Sequence, residues 1–113
     1  MKKKIAIPVD DSGVLDAHFG HCSFIILMDV ENKVIISQEK VVPPPHEPGL
    51  LPKWLADKGA TDIIAGGMGQ KAIQLFNGYG VNAFVGAPKV SAKELAEGFL
   101  NESLSFTANY CDH

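Results

Sequence analysis

Within five consecutive residues the sequence has two histidines and a cysteine: His18, His21 and Cys22. Imidazole and thiolate groups bind iron, zinc and iron–sulfur assemblies better than they bind the hard ions calcium and magnesium. Two more groups of this kind, Cys111 and His113, end the sequence. We therefore predict a metal or metallocluster site whose ligands are drawn from His18, His21, Cys22, Cys111 and His113.

The spacing of these groups does not by itself identify the metal. A closed zinc site takes four such ligands, and structural zinc sites are usually built from paired CxxC or HxxxH motifs. The sequence has neither motif. Fewer and looser ligands favour a site that receives a preassembled cluster and releases it again. The alternative is a regulatory, protein-interaction module in which the histidine loop is only structural.

A glycine turn, residues 66–69, follows an apparent strand and opens a helix. Glycine lets the main chain approach a ligand closely, and the amides at the start of a helix bind anions. The pattern is neither a Walker sequence nor GxGxxG, so nucleotide binding is not indicated. Two simpler explanations stay open: the turn requires positive φ, and Met68 fills a gap in the core. The residues predicted to line a cofactor pocket here are Gly66, Gly67, Met68 and Gly69.

Other chemistries are less well supported. Asp10 ends the first apparent strand whereas Asp62 starts the fourth, so these carboxylates fall at opposite edges and do not form a two-metal nuclease site. Asp10 and Asp11 are better explained as turn formers. The leading enzymatic alternative is a nucleophile–base pair of Cys22 with His18 or His21. We expect a protein that is not an enzyme.

The whole chain has 113 residues, which favours a single domain over residues 1–113. Its formal charge of −3 argues against binding to nucleic acid, and the basic run Lys2–Lys4 is interpreted as a solvated lead-in to the first strand. No apolar run approaches the length of a membrane span, and no signal peptide is apparent. We expect a cytoplasmic protein with no membrane partner. Its cysteines are then free thiols or ligands, although a Cys22–Cys111 disulfide stays open.

Apolar patterning and turn residues predict five strands and three helices. Asn32 lies in a short connector between two strands, and Ser91 with Glu94 forms a capping box. Beyond Leu104 we find no clear pattern. The predicted strands are Ile5–Val9, Phe24–Val30, Val34–Val41, Thr61–Ala65 and Val81–Val85, and the helices are Leu50–Lys58, closed by Gly59, Gln70–Asn77, closed by Gly78, and one opening at Ser91.

This β-β-β-α-β-α-β-α order predicts a three-layer α/β/α fold around a five-stranded mixed sheet. Right-handed crossovers give the strand order 3-2-1-4-5 with strand 2 antiparallel. Ligands in such sheets bind outside the carboxyl ends of the parallel strands. Asp10, the His18–Cys22 loop and the glycine turn are therefore expected at one edge, and we predict that they converge with the C-terminal tail on one site.

At these residues the chain resembles the dinitrogenase iron–molybdenum cofactor biosynthesis family, the NifX-type proteins whose fold also forms the C-terminal part of NifB proteins. The resemblance covers nearly the whole chain. Its features are Val9-Asp10, His18-Phe19-Gly20 followed by His21-Cys22, the proline-rich crossing after the hairpin, the glycine turn, and Gly80-Val81.

The resemblance implies a ribonuclease H-like, nitrogenase accessory factor-like domain without nuclease activity. It implies a carrier or chaperone that binds an iron–sulfur cluster or iron–molybdenum cofactor precursor as cargo, with cluster donor and acceptor proteins as partners. The sequence shows no radical-chemistry domain, so we expect no cluster synthesis by this chain, and the molybdenum cofactor need not be the cargo. The pocket residues implied are His18, Phe19 and Gly20, with the glycine turn.

Overall fold

The computed structural model describes residues 2–16, 23–44, 49–102 and 108–110. The predicted strand order 3-2-1-4-5, with strand 2 antiparallel, is confirmed, and a sixth strand is added beside the fifth. Residues 45–48 of the proline-rich crossing lie outside the described part. In chain order the elements are β1 Lys2–Val9, β2 Phe24–Glu31, β3 Val34–Val41, α1 Leu50–Asp57, β4 Asp62–Ile64, α2 Gln70–Gly78, β5 Asn82–Val85, α3 Ala92–Leu100 and β6 Ala108–Tyr110.

Strand β1 lies near the centre of the sheet. It pairs antiparallel with β2 on one side and parallel with β4 on the other, and β4 in turn pairs parallel with β5. The parallel strands β1, β4 and β5 therefore end at the same edge of the sheet, at Val9, Ile64 and Val85 respectively. We name this the carboxyl edge, and the opposite one the amino edge.

Two hydrophobic clusters, one on each side of the sheet, confirm the three-layer arrangement. On the α1–α2 face, Leu55 and Phe76 are fully buried against Ala6. On the α3 face, Leu95 is fully buried against Ile7. Successive β1 side chains thus alternate between two helical layers. Full burial stabilises the fold by about 1.5–3 kcal/mol for each large apolar side chain.

Strand β1 begins at Lys2, three residues earlier than the sequence predicted. Lys2–Lys4 is therefore part of the strand and not a solvated lead-in, because it pairs opposite Asp29–Glu31 of β2. The Lys4 Nζ lies 3.7 Å from the Asp29 carboxylate, and the Lys4 amide donates to the Thr61 hydroxyl at 2.9 Å. Composition alone disfavours a strand at three consecutive lysines, but the opposite charges on the paired strand stabilise them there.

Turn residues explain where the elements end. Asn32 and Lys33 both have positive φ, 52° and 67°, which is the geometry of a two-residue type I′ hairpin. Gly59 ends α1 as predicted, with φ 89°. Helix α2 continues through Gly78 and stops at Gly80, with φ 81°, so the predicted stop at Gly78 is two residues early.

None of the described helices is long and apolar enough to cross a membrane.

Candidate functional site

The first turn at the carboxyl edge is organised by Asp10. Its carboxylate accepts hydrogen bonds from the Ser12 hydroxyl at 2.6 Å, the Ser12 amide at 2.9 Å and the Val14 amide at 3.2 Å. Chiefly through the Ser12 hydroxyl, these bonds hold the pKa of Asp10 below its usual value, and the charge of Lys89 acts in the same direction. Asp10 is therefore a turn former, as the sequence predicted.

The chain then folds back along the end of β1. Leu15 bridges to Val9, and the Asp16 amide donates to the Pro8 carbonyl oxygen at 3.0 Å. On the other side of residues 17–22, Phe24 pairs directly with Val9. Both described flanks of the predicted ligand loop thus lie at the carboxyl edge, beside the last two residues of β1.

The glycine turn that follows β4 lies at the same edge. The Gly66 carbonyl oxygen accepts from the Gly86 amide at 3.0 Å, and the Ala65 amide donates to the Phe84 carbonyl oxygen at 2.9 Å. These bonds join the turn after β4 to the turn after β5. The carboxyl edge therefore carries turns from three parallel strands, as the predicted topology required. The turn at Gly86 is a part of this edge that the sequence analysis did not single out.

The explanation of the glycine turn by positive φ is wrong. Gly69 has φ −67° and ψ 152°, an extended conformation open to any residue. The glycines with positive φ in the described part do not include Gly66 or Gly67 either. A Cβ atom added at Gly69 would meet no atom within 4 Å. The backbone conformation does not require these glycines, and Gly67 and Gly69 leave exposed main chain at the edge.

Helix α2 begins at this turn with an uncapped N-terminus. Gly69 supplies no capping side chain, and the first turn contains no acidic residue. The first helical hydrogen bond runs from the Ile73 amide to the Gly69 carbonyl oxygen at 3.2 Å, so the amides of residues 70–72 precede it. By contrast, Ser91 caps α3 by accepting from the Glu94 amide at 3.2 Å. The start of α2, with the exposed Lys71, favours a negatively charged group.

Met68, the one residue with a side chain in the glycine turn, is half-buried. It packs against the cluster on the α1–α2 face. This contact is the core-filling role that the sequence analysis left open for Met68. The thioether therefore helps to hold the turn against the core, while the glycines around it present main chain.

The ligand residues themselves lie outside the described residues. All the histidines and cysteines of the chain do, as does the Phe19-Gly20 pair between them. Within the described residues, no group of three or more His, Cys, Asp or Glu side chains is arranged to hold a metal ion. The metal set stays a prediction, and the structure describes only the residues that flank its loop. Its members are His18, His21, Cys22, Cys111 and His113, and the pocket residues of the same loop are Phe19 and Gly20.

Strand β6 was missed by the sequence analysis. It pairs antiparallel with β5, from Ala108 opposite Val85 to Tyr110 opposite Ala83. The described chain therefore runs from the carboxyl edge toward the amino edge before it reaches Cys111. The signal was present, because apolar and polar residues alternate strictly from Leu104 to Tyr110.

Asp62 lies at the amino edge, as predicted from its position at the start of β4. It is 1% exposed and accepts from the Thr61 hydroxyl at 2.7 Å and from the Asn82 side-chain amide at 3.2 Å. Asp10 is at the other end of the parallel strands. The two carboxylates cannot share a pair of metal ions, which agrees with the argument against a nuclease.

The chain is similar to known proteins over nearly its full length. The family described as "Dinitrogenase iron-molybdenum cofactor" matches residues 1–102. No curated protein matches the sequence. Among solved structures, that of PH0822 has 28% identity and a TM-score of 0.85, covering 95% of both chains.

Two further solved structures share the fold. The apo form of the orange protein from Desulfovibrio gigas has 21% identity and a TM-score of 0.79, covering 94% of this chain and 93% of the other. The protein MJ0327 from Methanocaldococcus jannaschii has 15% identity and a TM-score of 0.76, covering 96% and 98% respectively. With the family match spanning 102 of the 113 residues, the chain belongs to the dinitrogenase iron–molybdenum cofactor family.

Proposed function

We propose that this protein is a non-catalytic carrier or chaperone that binds an iron–sulfur cluster, or an iron–molybdenum cofactor precursor, as its cargo. Membership of the dinitrogenase iron–molybdenum cofactor family supports a role connected with that cofactor. The cargo site is the carboxyl edge of the sheet. Its metal ligands come from the predicted loop, chiefly His18 and Cys22, with His21.

One observation carries this proposal: the start of α2 and both flanks of the ligand loop lie at the same edge. Asp16 and Phe24 are hydrogen-bonded or paired to the end of β1. The uncapped helix start follows Gly69, after the neighbouring parallel strand β4. A group bound at this edge would meet imidazole and thiolate on one side and free main-chain amides on the other.

The chemistry of these two sides is complementary for an anionic metallocluster. Thiolate and imidazole bind its metal ions, and amides donate hydrogen bonds to its sulfides or carboxylates. Lys71 in the first turn of α2, and Lys89 near Asp10, add positive charge at the edge of a chain whose formal charge is −3. The cargo is therefore stabilised locally although the whole protein is acidic.

The small number of ligands suits transfer. A carrier has to release its cargo, so incomplete coordination by this chain leaves positions for ligands of a donor or acceptor protein. The proposed partners are proteins that assemble or receive metalloclusters. The tail residues Cys111 and His113 are secondary candidates, because β6 runs toward the amino edge before them.

Anaerobic reconstitution tests the proposal. The protein is incubated with ferrous iron and sulfide, desalted, and assayed for visible absorption and bound iron. We expect the wild type to retain both, and the His18→Ala/Cys22→Ala double variant to lose most of both. His46→Ala is the matched control, because His46 is a histidine outside the motif, and it should retain them. Equal retention by the double variant and the wild type, or none by the wild type, contradicts the proposal.

A further inference from the structure

A groove of about 610 Å³ lies on the α3 face, between strand β3 and helix α3. Ile35 and Leu100 are its more buried apolar residues. Val34 and Ile36 stand beside them, and each is 60% exposed. It is unusual for large β-branched side chains to be this exposed to solvent when no other part of the protein covers the strand.

Strand β3 is also the edge of the sheet. It pairs with β2 on one side, and no described strand lies on its other side. The outward amides and carbonyl groups of an edge strand can pair with an extended segment of another chain. The groove thus combines partly apolar surface with the outward main-chain groups of an edge strand. The pairing of this strand with β2 shifts register once, between Asp29 and Val30.

The charges around the groove are mainly positive. Lys33 and Lys93 line it, opposed by Glu97. Lys40 and Lys3 lie on the same face, with their Nζ atoms 4.1 Å and 5.3 Å from the ring centroids of Phe24 and Phe99, which pack against the α3-face cluster. Two lysines and one glutamate therefore line the groove, and two further lysines lie on the same face of the sheet.

The acidic residues of the neighbouring strands point the other way. Asp29 contacts Lys4 and accepts a hydrogen bond from the Ser37 hydroxyl. Glu39 lies opposite Leu27, which belongs to the cluster on the α1–α2 face. Strand alternation thus turns Asp29 and Glu39 away from the groove. The groove lining carries one more positive than negative charge, although the formal charge of the chain is −3.

The groove lies toward the amino edge. Its β3 end follows the hairpin turn, where Val34 pairs with Glu31, and its α3 end includes Asn101, which caps the helix C-terminus. Helix α3 starts at the carboxyl edge, where Ser91 bridges to Val14. A partner in the groove would leave the carboxyl edge accessible.

We propose that this groove docks an extended, acidic and apolar segment of a partner protein, which adds to β3 as a further strand. The apolar side chains of the segment would cover Ile35 and Ile36, and its carboxylates would meet the lysines. Main-chain hydrogen bonds to β3 would supply affinity without demanding a particular sequence. This inference concerns a different surface from the cargo site and does not depend on it.

A defined peptide tests the inference. The probe is a fluorescein-labelled nonapeptide with blocked termini, in which valine and glutamate alternate at the odd positions and threonine fills the even ones. Valine and glutamate then lie on the same face of the added strand. The control peptide has lysine in place of glutamate. Fluorescence anisotropy in low salt should show saturable binding of the glutamate peptide that weakens as salt is added. Amide hydrogen exchange of β3 should slow when this peptide is bound.

Charge reversal separates the groove from general attraction. We expect Lys33→Glu/Lys93→Glu to weaken binding by at least about tenfold. Ile36→Ser, which removes apolar surface without adding charge, should also weaken it. The matched control is Lys53→Glu/Lys58→Glu, which changes the net charge equally at exposed positions in α1 and directly after it, on the other face. It should bind nearly as the wild type does.

Three results would overturn the inference. The first is equal binding of the two peptides, or no binding of the glutamate peptide. The second is an equal loss of affinity in the groove variant and the control variant. The third is a wild-type dimer in sedimentation velocity that Ile36→Lys converts to monomer, because the groove would then accommodate a second copy of this chain.

Discussion

The main-chain amide of Asp16 donates to the carbonyl oxygen of Pro8 at 3.0 Å, one residue before β1 ends. Proline has no amide to offer the sheet, but its carbonyl group accepts a bond and so holds the returning chain. Phe24 pairs with Val9 on the neighbouring strand. Both described flanks of the segment that carries the predicted ligands therefore lie at the end of β1, at the same edge of the sheet as the start of α2.

Replacing Gly69 by aspartate should strengthen the fold and weaken the cargo site. Gly69 is the N-cap of α2 in an extended conformation, and an added Cβ meets no atom within 4 Å. An aspartate there can cap the free amides and interact favourably with the helix dipole, which should raise the free energy of unfolding by about 0.5–1 kcal/mol. Urea denaturation of the apo-protein measures this gain.

The same substitution places a carboxylate where we propose that an anionic cluster binds. Gly69→Asp should therefore retain less iron and less visible absorption after reconstitution than the wild type. Gly69→Ala is the control, since it adds a Cβ without a capping group or a charge. Full cluster retention by the aspartate variant, together with the stability gain, would show that the start of α2 is not part of the cargo site.

The direction of β6 leads to a prediction about the C-terminal tail. Tyr110 is opposite Ala83, so the chain moves away from the carboxyl edge as it approaches Cys111. We expect Cys111→Ala/His113→Ala to retain reconstituted iron at a level close to that of the wild type, and Cys22→Ala to lose most of it. Iron per chain after desalting is the measurement. Loss of iron in the tail variant would place the tail back among the ligands.

Acid should remove the contribution of Asp10 to stability. Its pKa in the folded protein is lowered from the ordinary value of 3.8, mainly by the Ser12 hydroxyl. A depressed pKa stabilises the fold fully above the unfolded pKa, and this contribution is lost as the pH falls through the lower, folded pKa. Asp10→Asn should thus destabilise the protein near neutral pH, and its deficit relative to the wild type should shrink below about pH 4.

Urea midpoints measured at several pH values provide this comparison. Asp11→Asn is the control, because it removes the same charge one residue later and Asp11 makes none of the three hydrogen bonds of Asp10. Its midpoint should stay closer to that of the wild type. A deficit of Asp10→Asn that is constant with pH would mean that the carboxylate charge does not hold the turn.

Removing the buried carboxylate of Asp62 should destabilise the fold without affecting the cargo. Asp62 accepts from Thr61 and Asn82 at the amino edge and is 1% exposed. Asp62→Ala removes the acceptor of the Asn82 side-chain amide and leaves the Thr61 hydroxyl only its longer bond to the Lys4 carbonyl oxygen, at 3.2 Å. This loss should cost about 1–3 kcal/mol. Asp57→Ala, which breaks an exposed pair with Lys53 at 3.3 Å, should cost less than about 1 kcal/mol.

At a temperature well below the thermal unfolding midpoint of the variant, Asp62→Ala should retain as much cluster as the wild type does. Asp62 lies at the start of β4 and the glycine turn at its end. A specific loss of bound iron in a folded Asp62→Ala protein would contradict the placement of the cargo at the carboxyl edge.

Local patterns predicted most elements because the features that define them are close in sequence. The helix positions that face the core recur at helical spacing in the sequence, and Leu55, Phe76 and Leu95 among them are fully buried. The order of the five strands follows from element order and crossover handedness. The last strand is only three residues long, Ala108–Tyr110, and its one local indication is the alternation of apolar and polar residues from Leu104 to Tyr110.

Other features depended on contacts between residues far apart in the chain. Lys2–Lys4 joins β1 because Asp29 and Glu31 lie opposite, and the sequence alone does not place those carboxylates there. Gly69 lies at the uncapped start of α2, in a turn without positive φ. This geometry depends on the hydrogen bonds that join the turn after β4 to β5 and its turn. The sequence by itself determined which groups are available: imidazoles and a thiol in one loop, and bare main chain in another. Only the tertiary structure decided that the flanks of the first lie at the same edge as the second, because position in a sheet is set by strand pairing and not by distance along the chain.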